Sequence, residues 1–214
     1  MSRFFLFGGA AALAVAAITW QTWRPSSSET VFVGKNNPPE AAPMCPWREP
    51  EADLKLFFAD ASRYELKTHA LSGLRIELGR RIGRELNPDE NLLHVYRIYC
   101  EKGDALGAVL TRRVKGTHGA IELVLATDTR GQVCGLRLQR LREPENVARE
   151  LENPQWLRSL YGKCADSNWE IGGEVPDEAR SSAAAIARGA RDSLILLAGA
   201  SHAAVPAPAR PGHH

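Results

Sequence analysis

Cysteine is scarce in this chain, four residues in 214, and no two of them form a C-x-x-C pair. That excludes a thioredoxin-like redox motif and a zinc ribbon. A dominant sign of charge is also missing: 27 Lys and Arg face 25 Asp and Glu, for a formal net charge of +2. A strongly basic nucleic-acid binder and a disordered polyelectrolyte are excluded by that balance. Mean hydropathy is negative, and only one stretch approaches membrane length, so the chain is not a polytopic membrane protein. No H-E-x-x-H, Walker A, G-x-S-x-G or G-x-G-x-x-G occurs, and His69, His94 and His118 stand at unrelated spacings. Neither a metal ligand pair, a nucleotide loop nor a nucleophile elbow is therefore written in the sequence.

What is present is distributed unevenly. Arg3 precedes an uncharged run from Phe4 to Trp20, with Trp23 and Arg24 just beyond. At about 1.5 Å per residue, such a run just crosses a hydrocarbon core of about 30 Å. Trp20 and Trp23 fall where interfacial aromatics anchor a span. Residues 1–24 thus read as a single-pass anchor. The alternative is a cleaved signal peptide with Ala14-Val15-Ala16 as its small-residue site. Both readings export the rest of the chain. Residues 25–44, with four prolines and three consecutive serines, suit an extended linker. Residues 200–214, Ala/Pro-rich and ending in two histidines, suit a disordered tail. The intervening 45–199 is long enough for one ordinary core.

Within that region the periodicity predicts helices over Asp53–Leu66 and His69–Leu86, the second stopped by Asn87-Pro88. Its outer face, with Arg75, Glu77, Arg80 and Arg84, reads as solvated. Strands are predicted over Leu92–Cys100, Leu106–Arg112, Ala120–Thr127 and Val133–Leu141, the last two joined by the Gly-containing loop Asp128–Gln132. In the last strand Cys134, Leu136 and Leu138 are expected on one face, with Arg137 and Gln139 on the other. Short helices follow over Glu145–Glu152 and Pro154–Tyr161. A long Ala-rich helix is expected over Ser181–Ala198, its start capped by the hydroxyls of Ser181 and Ser182. Helices, then antiparallel strands, then helices make an α+β domain with an antiparallel sheet and flanking helices.

Four cysteines in an exported domain allow two disulfides or four free thiols. Cys134 reads as a small core residue, and Cys45, at the linker junction, as the exposed thiol. Two segments carry residues suited to chemistry. One is the Gly-flanked connection Val114-Lys115-Gly116-Thr117-His118-Gly119-Ala120. The other is Pro176-Asp177-Glu178-Ala179-Arg180-Ser181-Ser182, where backbone amides and hydroxyls at a helix start suit an anion. Asp177 and Glu178 oppose one there.

The order of these pieces resembles the FMN-binding domain family of exported, membrane-anchored electron-transfer proteins. Its members include flavin subunits of ion-pumping quinone and ferredoxin oxidoreductases and membrane regulators tied to respiratory enzymes. The segments that carry the likeness are GLRIELGRRIGRELNPDE with LLHVYRIYC, VKGTHGAIELVLATDTRGQVCGLRLQRLRE, NPQWLRSLYGK and PDEARSSAAAIARGARDSL, together spanning about 53–198. The resemblance implies an inner-membrane, single-pass protein whose domain faces the periplasm, an accessory to membrane redox-complex subunits and not to nucleic acid. It also implies FMN held noncovalently, because Ala179 falls where the family has the Thr that binds or esterifies the flavin phosphate. By the same resemblance Lys115 and His118 would lie near the isoalloxazine, Arg180, Ser181 and Ser182 near the phosphate, and Trp156 against a ring. A flavoprotein passing electrons is one expectation. A structural or assembly subunit using a degenerate form of the fold is the other.

Overall fold

The computed structural model describes residues 44–203. The expected anchor, most of the linker and the end of the tail lie outside the described residues. Among the described residues no helix is long and apolar enough to cross a membrane.

Helix α1 (Pro50–Phe57) opens with proline in its first turn, where a missing N–H costs nothing, and carries Glu51 and Asp53 at its positive end. It stops at Phe58, whose backbone is extended, and does not run on to Leu66 as its periodicity predicted. Strand β1 (Ala61–Ala70) takes over, pairing residue by residue with β2 (Leu92–Cys100) from Arg63↔Tyr99 to Ala70↔Leu92. Tyr64 decides this locally, because as a strand residue it meets Trp47 and Tyr96 with ring centroids 5.4 and 6.0 Å away. The same pairing consumes His69 and Ala70, so the second predicted helix shrinks to α2 (Arg75–Ile82). It ends at Gly83, whose φ of 88° is open to glycine, with its N–H on the Gly79 carbonyl. Asn87-Pro88 instead opens a short 3-10 turn closed by a reciprocal Asn87–Glu90 capping box.

Strands β3 (Ala105–Lys115), β4 (Ala120–Asp128) and β5 (Val133–Leu141) complete a five-stranded antiparallel meander in the order β1-β2-β3-β4-β5. The α+β architecture is thus as predicted. Two β-bulges in β5 correct its expected face. Thr127 pairs with Val133 and Ala126 with Gly135, leaving Cys134 as an extra residue, and Gln139 is extra between Leu138 and Arg140. Each bulge resets the alternation, so Val133, Leu136 and Leu138 share one core while Cys134 joins the opposite one.

Helices α3 (Glu145–Leu151), α4 (Pro154–Ser159) and α5 (Asp177–Ala203) cover the first of these faces. Ile121, Leu123 and Leu125 of β4 pack there against Ala179, Ala183, Ile186, Ala187 and Ala190 of α5. Burying each of the larger side chains contributes roughly 1.5–3 kcal/mol. The small residues let α5 approach closely: a methyl at Gly189 would lie 2.4 Å from Val114 Cγ1. Helix α5 begins four residues before the predicted Ser181. Asp177 and Glu178 therefore occupy its first turn, and Ser181 and Ser182 are not its caps. Helix α2 leans on the far half of α5 through Leu78, Ile82, Leu86, Ile195 and Leu196.

A strap formed by residues 45–58 covers the other sheet face. Trp47, Leu54 and Phe58 are buried against Tyr96, Ile98, Val109 and Val124. Cys45 is buried in this strap, 6% exposed, and is not the exposed thiol its junction position suggested. All four cysteines are free.

Candidate functional site

The turn between β3 and β4 meets α5 one turn in from the helix start, and a residue from beyond β5 closes the gap between them. Ser182, fully buried, accepts a hydrogen bond on Oγ from the Thr117 N–H at 2.9 Å. Its own hydroxyl donates to Glu143 Oε1 at 2.8 Å. A serine has one proton to give, and the charged carboxylate is the stronger acceptor. Thr117 Oγ1, 3.0 Å from Ser182 Oγ, is then the donor in that contact. Glu143 Oε2 accepts from the His118 N–H at 3.2 Å and from His118 Nδ1 at 2.7 Å, which fixes the imidazole proton on Nδ1.

Glycine is required at the mouth of this arrangement. A methyl on Gly116 would stand 2.0 Å from Glu143 Oε1 and 2.8 Å from Ile121 Cδ1. The Glu143 side chain is fully enclosed. Burial by itself raises its pKa, but hydrogen bonds from the His118 ring, the Ser182 hydroxyl and the His118 amide outweigh that and hold it below the usual carboxylate range. The loop amide, the hydroxyl and the imidazole together form an anion cradle, and the anion within it is the protein's own carboxylate.

The sequence-derived residues divide accordingly. His118 and Ser182 come together around the turn through Glu143, with His118 half exposed. Lys115, exposed at the end of β3, lies on the Arg113 face of the sheet and outside this cluster. Arg180 and Ser181 are exposed on the outer side of α5, and the Arg180 guanidinium folds back to Asp177 Oδ1 at 2.8 Å and the Val175 carbonyl at 3.4 Å. Trp156 lies apart from them, 1% exposed in the core beneath α5, with its indole N–H unpartnered among the described residues. Ala179, at the position of the family's Thr, is 0% exposed and faces the same core. Glu143 was missed by sequence reasoning. Its only trace is a carboxylate next to Pro144 just past a strand, which is an ordinary pattern.

Chemically, the order of groups is informative. In a Ser-His-Asp arrangement the imidazole touches the serine and the carboxylate stands behind it. Here Glu143 stands between Ser182 and His118. Its carboxylate, held below the usual range, is a weak base, and the Ser182 hydroxyl is fully buried, so the cluster is not arranged for acyl transfer. Among the described residues no group of three or more His, Cys, Asp or Glu could hold a metal ion. A shallow groove of about 480 Å³ lies elsewhere, along α2 at Arg75, Ile76, Arg80 and Arg84. Arg75 there is bonded to Asn91 Oδ1 and the Leu86 carbonyl, and Arg84 to Glu90 and Asp192. No acid–base pair or nucleophile lines it.

No protein-family model matches the chain, and no curated protein matches it either.

Proposed function

We propose that this chain is a membrane-anchored, exported protein whose domain keeps the FMN-binding-like fold but serves as a non-catalytic structural or assembly subunit of a membrane complex. The observation that supports this reading most is the Glu143 carboxylate held between Gly116, His118 and Ser182. A phosphate brought to the same amide and hydroxyls would meet a fixed negative charge, and like charges a few ångströms apart in a part-buried site repel strongly. The buried Ala179 and Trp156 add to it, since neither offers a hydroxyl or an open ring face to a ligand. These residues do not fit a flavin phosphate. The domain acts through its surfaces, with the N-terminal apolar run holding it at the bilayer.

The test is the visible absorption spectrum of the full chain extracted from membranes, taken before and after incubation with FMN followed by removal of free flavin. No flavin band is expected with the protein in either sample. Stoichiometric flavin in the native extract would return the protein to the electron-transfer class. Asp177→Gly, Glu178→Ala and Ala179→Thr together restore the family's small residues and Thr. Because position 179 faces the core, they are expected not to confer FMN binding even when Glu143→Ala is added, and a gain of binding would show that only the phosphate site had been lost.

A further inference from the structure

The sheet face covered by the strap is uncovered at one end, and that end is strongly basic. Glu122 of β4 is 1% exposed there, yet three arginines surround it: Arg113 at 2.7 Å, Arg48 at 3.1 Å and Arg140 at 4.0 Å. One would neutralise it. The three arginine side chains remain 39–45% exposed. Lys115 follows Arg113 on the same face, since β3 and β4 pair without a break from Gly107 to Lys115. Arg142, whose N–H bonds to the Ala120 carbonyl, alternates onto that face from Leu141, which packs on the opposite core.

Five basic residues, two on β3, one on β5, one just past it and one on the strap, thus surround one buried carboxylate on β4, for a formal charge of +4 over these six groups. Ala120, opposite Lys115 in the register, leaves the middle of the patch flat. Like charges on neighbouring strands destabilise a sheet, and removing excess arginines would relieve that, so internal stability does not account for the collection. The second observation is where the chain leaves. Arg113 Nη2 donates to the Met44 carbonyl at 3.3 Å, so the segment leading back to the apolar run departs from the edge of the patch itself. A linker of about 20 residues then holds this face near the bilayer at an effective concentration in the millimolar range.

We infer that this basic face docks on an anionic phospholipid surface, orienting the domain against the membrane that its N-terminal run enters. The inference rests on the anchored reading of the chain. Flat, exposed arginine and lysine side chains, with Glu122 buried among them and Glu49 beside Arg48 turned to Arg137 at 3.9 Å, match a layer of phosphate headgroups, and long basic side chains can lay their stems along the interface.

The experiment uses the full chain mixed with vesicles of phosphatidylcholine alone or with added phosphatidylglycerol, recovered by flotation. The acylation rate of Lys115 is read by mass spectrometry against Lys55 and Lys102. Lys115 is expected to be protected on the anionic vesicles only, with protection lost in high salt. Arg140→Gln with Arg142→Gln, which leaves Glu122 paired with Arg48 and Arg113, should lower the docked-to-undocked ratio about 30-fold, with an unchanged melting temperature as the folding control. Equal Lys115 labelling on both bilayers overturns docking. Failure to float with neutral vesicles overturns the anchor but not the patch, which flotation on anionic vesicles alone then reports. Protection by soluble polyglutamate but not by anionic vesicles assigns the face to an acidic protein and overturns the lipid assignment.

Discussion

Ser182 on α5 and Glu143 beyond β5 stand 39 residues apart in sequence and 2.8 Å apart in space, the hydroxyl donating to Oε1. The contact joins the last helix to the far end of the sheet, and Gly116 is what lets the carboxylate in. Glu143→Ala removes the charged acceptor of the Ser182 hydroxyl and the His118 amide. The hydroxyl can turn to Thr117 Oγ1 at 3.0 Å and the exposed amide to water, so the loss should be about 0.5–1.5 kcal/mol in urea unfolding at neutral pH. Gly116→Ala drives a methyl into Oε1 and Ile121, an overpacking worth about 1–3 kcal/mol. In the double variant much of that methyl falls in vacated space, so its cost should be below the sum by roughly 1 kcal/mol. Strict additivity would mean that Gly116 is not there to admit Glu143.

A second carboxylate sets the acid limit of the fold. Glu90 bridges Arg84 at 2.8 Å and Arg112 at 2.6 Å, and both arginines also reach Asp192 of α5. Burial pushes its pKa up, but the Arg84 hydrogen bonds, the Asn87 amide and the Arg112 charge overcome this and bring it down from 4.5 to about 2. A folded pKa below the unfolded one gives stability that is complete above the unfolded value and is lost as pH falls through the folded one. Full linkage would be roughly 3 kcal/mol, and solvent around the part-exposed Arg84 reduces it to roughly 1–2 kcal/mol. Unfolding free energies from urea titrations of wild type should drop between about pH 5 and pH 2 by that much more than those of Glu90→Gln. Parallel curves would remove Glu90 from the account.

Local pattern carried the sheet and failed where two periods compete. The ends of β2 and β5 coincide with the reading from sequence, because both strands are bounded by turn residues and rich in branched side chains. Residues 58–66 satisfy a helical spacing almost as well as a strand, and only contact with Trp47 and β2 decides between them. The bulges at Cys134 and Gln139 leave no local signal, since they exist to reset pairing with β4. Lys115 and His118 were legible as polar residues of one connection and Ser182 as a hydroxyl near a helix start, but no local pattern joined the two segments. Glu143 was not, because its role depends on three segments meeting, 25 residues away at His118 and 39 at Ser182.

The cysteines should separate by environment and not by position in the chain. Hydrogen bonds from the Ser167 hydroxyl and the Asp166 backbone draw the Cys164 thiol down, favouring thiolate. Burial and the Asp128 charge push Cys134 up to about 11, and burial with the Glu122 charge raises Cys45. Timed iodoacetamide labelling at neutral pH should therefore modify Cys164 first and leave Cys45 and Cys134 last in the folded protein. Early labelling of Cys45 would contradict its burial in the strap.

The strap itself hangs on Asp53, which is 1% exposed. Its carboxylate accepts from Trp47 Nε1 at 2.6 Å and from Arg137 Nε and Nη2 at 2.5 and 2.9 Å. Asp53→Ala strands a part-buried guanidinium and an indole N–H beneath a cluster whose only lid is the strap, which should cost about 3–5 kcal/mol. Asp53→Asn keeps an acceptor for the indole and should cost less. If the strap opens as a local unit, Asp53→Ala raises the labelling rate of Cys45 well before global unfolding, while Cys164 labels at an unchanged rate. Acceleration of all four cysteines together would mean that strap and sheet unfold as one.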